Sequence, residues 1–306
     1  MTRVGLALPQ LGEHVDAQAF AGFCRSAEDL GFSSLWAQEH LFYPLEPRSG
    51  YAGVPGLAIP QAYRSVLGAT EAMAFAAALT STVTIGSSIL VGGYHRPVQL
   101  AQSLATIDVL SGGRLVAGLS VGWSDDEHAQ MDVDPRSRGR RLDELVAALL
   151  ACWGPDPVSF EGEFFSIPMS VVRPKPLQDP HPPLLSGMWS DAGLKRTVAL
   201  FDIWNPARGE PAELASLIVE LNAQRPVGSL PLRLYYRSFA QRPSHRPGEE
   251  IGGVEAVKAD VEACIQARVE EVIVECNFWE RMDSPAAWAT APELLAPVLD
   301  VAARSR

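Results

Sequence analysis

The 306 residues are 47% apolar and 20% charged, enough apolar content to bury a large core, which argues against a disordered chain. With 25 basic and 36 acidic side chains the formal charge is −11, so neither nucleic acid nor an anionic lipid surface is a default partner. No uninterrupted apolar run of about 18 residues occurs and no basic-then-apolar leader opens the chain, so a cytoplasmic protein without membrane spans is expected.

Short β-type runs alternate with longer helical patterns. A strand over 4–8 precedes a helix with Asp16 as its N-cap, Phe20, Phe23, Ala27 and Leu30 on one face, and Gly31 at its C-terminal end. A second strand covers 34–37. The stretch 41–65 is irregular and rich in Pro, Gly and Tyr, as an active-site loop would be. A helix over 66–79 leads to a third strand, 83–91. Pro97 suits the first turn of the next helix, whose stripe is Leu100, Leu104, Ile107 and Leu110, with Ser111-Gly112-Gly113 as its stop. The fourth strand spans 115–119, and a helix follows over 137–153.

Residues 154–183 break the alternation with a hairpin over 158–167, turning at Glu161-Gly162, and a proline-rich run to Pro183. Strands at 184–186, 202–204, 232–236 and 272–275 then alternate with helices near 191–200, 211–224, 254–267 and 285–303. Repeated strand–helix units imply parallel strands with helices outside, and eight of them point to a closed (β/α)8 TIM barrel of the α/β class. A single barrel domain over 1–306 is expected, with insertions after strand 2 and in 154–183. An open doubly wound sheet is the rival.

Cys24, Cys152, Cys264 and Cys276 form no Cys-x-x-Cys pair and read as reduced, buried thiols. The basic run Arg136, Arg138, Arg140 and Arg141 reads as a solvated helix start. No metal-ligand spacing is present.

Reactive groups of such a barrel lie on loops after the strands, at the C-terminal face. Four of these loops should face one another: Gln38-Glu39-His40, the run 92–96, the run 120–126, and Ser186-Gly187-Met188-Trp189. His40 is the best single candidate. It follows a buried strand, can exchange a proton near neutral pH, and has Glu39 beside it to bias its charge if the side chains meet. His95 is a weaker candidate, and His14, His128, His181 and His245 read as solvated loop residues. The loops at Ser120-Val121-Gly122 and Ser186-Gly187-Met188 leave room for backbone N–H groups to approach an anion, the second just before a helix N-terminus. Gly118-Leu119-Ser120-Val121-Gly122 matches the G-x-S-x-G elbow of serine hydrolases, and Asp202 and His245 could supply the order of a triad. The eight-unit alternation exceeds what that fold needs.

Longer motifs carry a resemblance. Residues 30–40, LGFSSLWAQEH, the strand Ile85-Gly86-Ser87-Ser88-Ile89-Leu90-Val91, Arg96-Pro97-Val98, and 104–115, LATIDVLSGGRL, continue into Gly118-Leu119-Ser120-Val121-Gly122-Trp123. With 138–144 and Pro174-Lys175-Pro176, this ordered set resembles the luciferase-like monooxygenase family, most of all its actinobacterial branch that uses the deazaflavin coenzyme F420. The resemblance implies a barrel binding F420 or FMN at its mouth. His40 would match the histidine that handles a proton near the reactive ring carbon, and Glu39 its acidic neighbour. A non-proline cis peptide behind the ring would fall at Ser88-Ile89. Contacts to the cofactor tail would map to Val121, Gly122, Trp123, Ser186, Gly187 and Met188. In place of the family's paired glycines, charged-glycine-Trp run and YRN stand Ser186-Gly187, Asp202-Ile203-Trp204 and Tyr94-His95-Arg96.

The expected function is an oxidoreductase in which reduced F420 transfers hydride to or from a small organic substrate beneath the 41–65 loop. Phe42, Tyr43, Tyr51 and Tyr63 there suggest a partly apolar substrate. Alternatives are an FMN-dependent monooxygenase using O2 with a separate reductase, and a non-catalytic ligand-binding barrel. Partners implied by the resemblance are the substrate, a cofactor-reducing enzyme and a second copy in a homodimer.

Overall fold

A computed structural model of the chain describes residues 2–243 and 252–304. Its strands are β1 (Arg3–Ala7), β2 (Ser34–Ala37), β3 (Thr84–Ser87), β4 (Leu90–Val91), β5 (Leu115–Ser120), β6 (Val158–Glu161), β7 (Ser166–Ser170), β8 (Leu184–Ser186), β9 (Ile203–Trp204), β10 (Arg233–Phe239) and β11 (Glu271–Glu275). Apart from the antiparallel hairpin β6–β7, these strands run parallel in the order β1-β2-β3-β5-β8-β9-β10-β11. Pairing of β11 back onto β1, Val272 opposite Val4, closes the (β/α)8 barrel.

The third strand departs from the expected single run over 83–91. β3 and β4 share one position in the wall, and both pair with β5, at Ile85↔Leu115 and at Leu90↔Leu119. Between them the Ser88–Ile89 peptide is cis. The ladder is interrupted there, and the Ser87 hydroxyl replaces it: Oγ donates to the Gly118 carbonyl at 2.9 Å and accepts from the Gly118 N–H at 2.8 Å.

Alternation along each strand sends one set of side chains into the barrel and the other toward the helices. Trp36, Val116, Leu185, Ile203, Tyr235 and Ile273 fill the interior, with Ile89 packed on top. Trp36 fits because Gly86 faces it: a Cβ on Gly86 would run into the indole. Its ring meets Tyr235 edge-on at 5.9 Å. At the opposite end of the barrel from the loops, Arg3 Nη2 pairs with buried Glu271 Oε2 at 2.8 Å.

Outside the barrel, the helix Ala17–Leu30 begins where Asp16 Oδ1 accepts the Ala19 N–H at 2.7 Å and ends at Gly31, whose φ of 95° suits glycine. Its Phe20 and Phe23 join Leu100, Leu104, Leu145 and Leu149 in the layer between helices and strands. Burying each such side chain contributes about 1.5–3 kcal/mol.

Three local differences from the sequence reading have physical causes. The helix expected over 66–79 starts at Ala69, because Val66 is taken up in an isolated bridge to Leu11. The expected helix near 285–303 is three short helices, Pro285–Ala289, Ala291–Leu295 and Pro297–Ala303, each with a proline in its first turn where no N–H can continue the preceding one. A short helix, Asp125–Gln130, started by the Ser124 hydroxyl accepting the Glu127 N–H, stands in the region read as a loop after β5. Among the described residues, no helix is long and apolar enough to cross a membrane.

Residues 41–65 hold two 3-10 turns, Tyr51–Gly53 and Gln61–Arg64, and fold back over the barrel mouth. Leu11, Ile59 and Tyr63 form a small apolar cluster there, joined by Tyr51, Trp123 and Phe278.

Candidate active site

At the C-terminal mouth lies an open cavity that draws its walls from the loops after β2, β4, β5, β8, β9 and β11, from Ser88 and Ile89 between β3 and β4, and from Arg237 and Phe239 of β10 itself. The four loops expected to face one another do so: Glu39 and His40, Tyr94, Gly122 and Trp123, and Gly187 all line it, together with Ser88 and Ile89. Val121, Ser186 and Met188 sit behind the wall. The Val121 carbonyl lies 2.9 Å from His128 Nε2, the Ser186 hydroxyl bonds Thr197, and the Met188 N–H donates to Ser186 Oγ at 3.2 Å.

His40 projects from the end of β2 with only 10% of its side chain exposed. Its ring packs against Tyr63 at 4.2 Å and Trp123 at 5.3 Å. Glu39 does not meet it. Instead the Glu39 carboxylate turns the other way, accepting the Val91 N–H at 2.7 Å and pairing with His95 Nε2 at 3.0 Å.

The partner of His40 is Glu127, which the sequence reading missed. His40 Nδ1 lies 3.3 Å from Glu127 Oε1. The same carboxylate accepts the Leu41 N–H at 2.6 Å and the Tyr94 hydroxyl at 2.8 Å. Burial pushes the Glu127 carboxyl up, but the imidazole, the Leu41 N–H and the Tyr94 hydroxyl outweigh it and hold the group below the usual carboxylate range. Burial and the neighbouring Glu127 carboxylate push the Tyr94 hydroxyl upward, so it remains a donor. A local signal existed. Ser124-Asp125-Asp126-Glu127 has the spacing of a capping box, in which the Glu would reach back to the N-cap backbone. The Ser124 hydroxyl does accept the Glu127 N–H at 3.3 Å, but the Glu127 side chain goes to His40 instead.

The floor is built from Ser88, Ile89, Asn205 and Arg237. Arg237 donates through Nη2 to the Ser88 carbonyl at 2.7 Å and through Nη1 to fully buried Glu275 at 2.6 Å. That pair neutralises the guanidinium where it stands. Tyr51, Tyr63, Trp123, Phe239 and Phe278 make an aromatic wall, which includes two of the four loop aromatics singled out by sequence. Phe42 and Tyr43 lie outside this cavity and help line a separate surface depression.

The remaining histidines divide. His14 is exposed and His181 packs half-buried on Trp153. His128, expected to be solvated, is fully buried in the helix after β5, its ring nitrogens 2.7 and 2.9 Å from the Ser124 and Val121 carbonyls. His245 lies outside the described residues.

The family model of the luciferase-like monooxygenases matches residues 2–235. The chain belongs to this family. Members of the luciferase-like family similar to it differ in cofactor. An FMNH(2)-dependent dimethylsulfone monooxygenase of Pseudomonas putida is 28% identical over 61% of this chain and 52% of its own. An F420-dependent glucose-6-phosphate dehydrogenase of Kineococcus radiotolerans is 30% identical over 55% of this chain and 48% of its own. The chain thus spans about half the length of these curated relatives, and 59% of that of mycobacterial proteins it matches at 32% identity. A solved structure of an F420-dependent secondary alcohol dehydrogenase with an F420-acetone adduct shares the fold, with TM-score 0.72 at 16% identity, covering 98% of both chains.

Proposed function

We propose that this chain is an oxidoreductase that uses coenzyme F420 and a small, partly apolar organic substrate, with His40 exchanging the proton that accompanies hydride transfer. The observation that carries this reading is the His40–Glu127 pair at the edge of an aromatic-walled cavity. An ionised Glu127 accepts from Nδ1–H, which fixes that tautomer and leaves Nε2 with the lone pair to give or take a proton.

The residues present fit a flavin-type ring. Gly187 and Gly122 line the cavity without side chains. A Cβ on Gly187 would stand 3.2 Å from Ile89 Cγ2, and one on Gly122 would meet Val91 and His128 at 2.6 and 2.9 Å. Gly187 therefore keeps bare backbone beside the Ile89 shelf, against which a flat ring can lie, and Gly122 keeps it beside Val91. When bound, the cofactor supplies or takes up the hydride. Ile89 and the aromatic wall would exclude water from the transfer, Arg237 holds the Ser88 carbonyl in place, and His40 handles the proton. Main-chain groups of Gly122, Trp123 and Gly187, with Val121, Ser186 and Met188 supporting them from behind, would hold the tail of the cofactor.

An FMN-dependent monooxygenase is the second reading, favoured by the similarity to the dimethylsulfone enzyme. Titration of the purified protein with F420 and with FMN, followed by protein fluorescence, separates the two. Binding of F420 alone supports the first reading, and binding of FMN alone the second. Binding of neither overturns both and leaves a non-catalytic barrel.

A further inference from the structure

Asn205 directly follows β9 and forms part of the cavity floor with only 3% of its surface exposed. Its backbone N–H donates to the Ser186 carbonyl at 2.8 Å. Its side-chain Oδ1 accepts the Ser88 hydroxyl at 2.7 Å. The amide nitrogen Nδ2, also buried, has no hydrogen-bond partner. Buried donors are almost always paired, so this one requires an explanation. Nearby acceptors are engaged elsewhere: the Ser88 carbonyl takes Arg237, the Ser186 carbonyl takes the Asn205 N–H, and the Met188 carbonyl takes the Trp204 indole at 2.8 Å. A molecule in the cavity that Asn205 lines can supply the missing acceptor.

The chemistry of the floor narrows that acceptor. Arg237 is the nearby cation, and Glu275 already neutralises it. What remains is a neutral amide donor, which suits a carbonyl oxygen better than a phosphate or carboxylate. Ile89 and the bare Gly187 beside it favour a flat molecule. A flavin or deazaflavin ring carries two carbonyl oxygens, both on its pyrimidine edge. We propose that Asn205 Nδ2 donates a hydrogen bond to a pyrimidine carbonyl of the bound ring and so selects which edge enters the floor. This rests on the cofactor reading above and holds for either cofactor.

The test measures dissociation constants for F420 and FMN, and the absorption maximum of the bound ring, in wild type, Asn205→Leu and Asn205→Asp between pH 5 and pH 8.5. The leucine variant should bind the ring about tenfold more weakly, equivalent to about 1.4 kcal/mol, with a displaced absorption maximum. The aspartate variant keeps nearly the same shape. Relative to wild type at each pH, its binding should weaken as pH rises and the carboxylate forms opposite the ring carbonyl. If wild type binds a ring and Asn205→Leu binds it equally well with the same spectrum, this inference falls and the cofactor reading stands. Tighter binding by Asn205→Asp at high pH would place a ring N–H opposite residue 205 and also overturn it. Failure of wild type to bind either ring removes both proposals.

Discussion

The imidazole of His40, at the end of one barrel strand, meets the carboxylate of Glu127, which lies beyond another, with Nδ1 and Oε1 3.3 Å apart. A loop and a short helix that share no local sequence thus contribute one acid–imidazole unit. If His40 moves the proton, His40→Gln should lower turnover about 10²- to 10⁴-fold while leaving cofactor affinity nearly unchanged. Glu127→Gln should cost less, and the double variant should be no worse than His40→Gln alone, because the residues act as a pair. Steady-state kinetics on the three variants checks this, and fully additive losses would contradict it.

Glu127 also ties stability to pH. The imidazole and two further donors hold its carboxyl below the ordinary value of 4.5, outweighing burial. Between those two values the unfolded chain binds more protons than the folded one, so stability falls as pH falls. The contribution is complete above the ordinary value and is lost as pH drops through the lowered one. The difference in Tm between wild type and Glu127→Gln should therefore be largest near neutral pH and shrink below about pH 4. Curves that stay parallel down to pH 3 would contradict the assignment.

Gly118→Ala tests the contact between β5 and β3. A Cβ at Gly118 would run into the backbone carbonyl oxygen of Ser87, which cannot swing aside as a flexible side chain can. A loss of about 3 kcal/mol or more is expected in chemical denaturation. A variant as stable as wild type would show that β3 and β5 can separate there without cost.

The cysteines give a further check. Cys24, Cys152, Cys264 and Cys276 are all free and buried, and burial pushes their thiols above the ordinary range. A thiol-reactive chromogen should label none of them within minutes in native protein and all of them in denaturant. Rapid labelling of a native thiol would contradict the packing around it.

The barrel was legible in the sequence because its signals are local. β2 coincides with the expected 34–37, since Gly31 ends the preceding helix and all four strand residues are buried. Asp16 and Gly31 bracket the first helix as their capping chemistry requires. The site was legible in part. His40, Gly122 and Gly187 follow from their places after strands, and the Ser88–Ile89 peptide from family resemblance. Glu127 and Arg237 were not legible, because their roles depend on partners brought near only by barrel closure. Residues 40 and 127 stand 87 positions apart, and Arg237 reaches the Ser88 carbonyl across 149. Local spacing around Glu127 points instead to a helix cap. Alternation likewise cannot show a break in the third strand, since Ser87 on one side of it and Leu90 on the other are equally buried.

Ser87 carries one last consequence. Its single hydroxyl occupies both the N–H and the carbonyl of Gly118, a rung made by a side chain where the adjacent rungs are made by backbone. The residue after it opens the shelf on which a ligand would rest. Occupancy of the shelf and integrity of the staves are therefore coupled: a molecule held against Ile89 should slow deuterium uptake at the Gly118 amide, even though that amide lies behind the wall and touches no ligand.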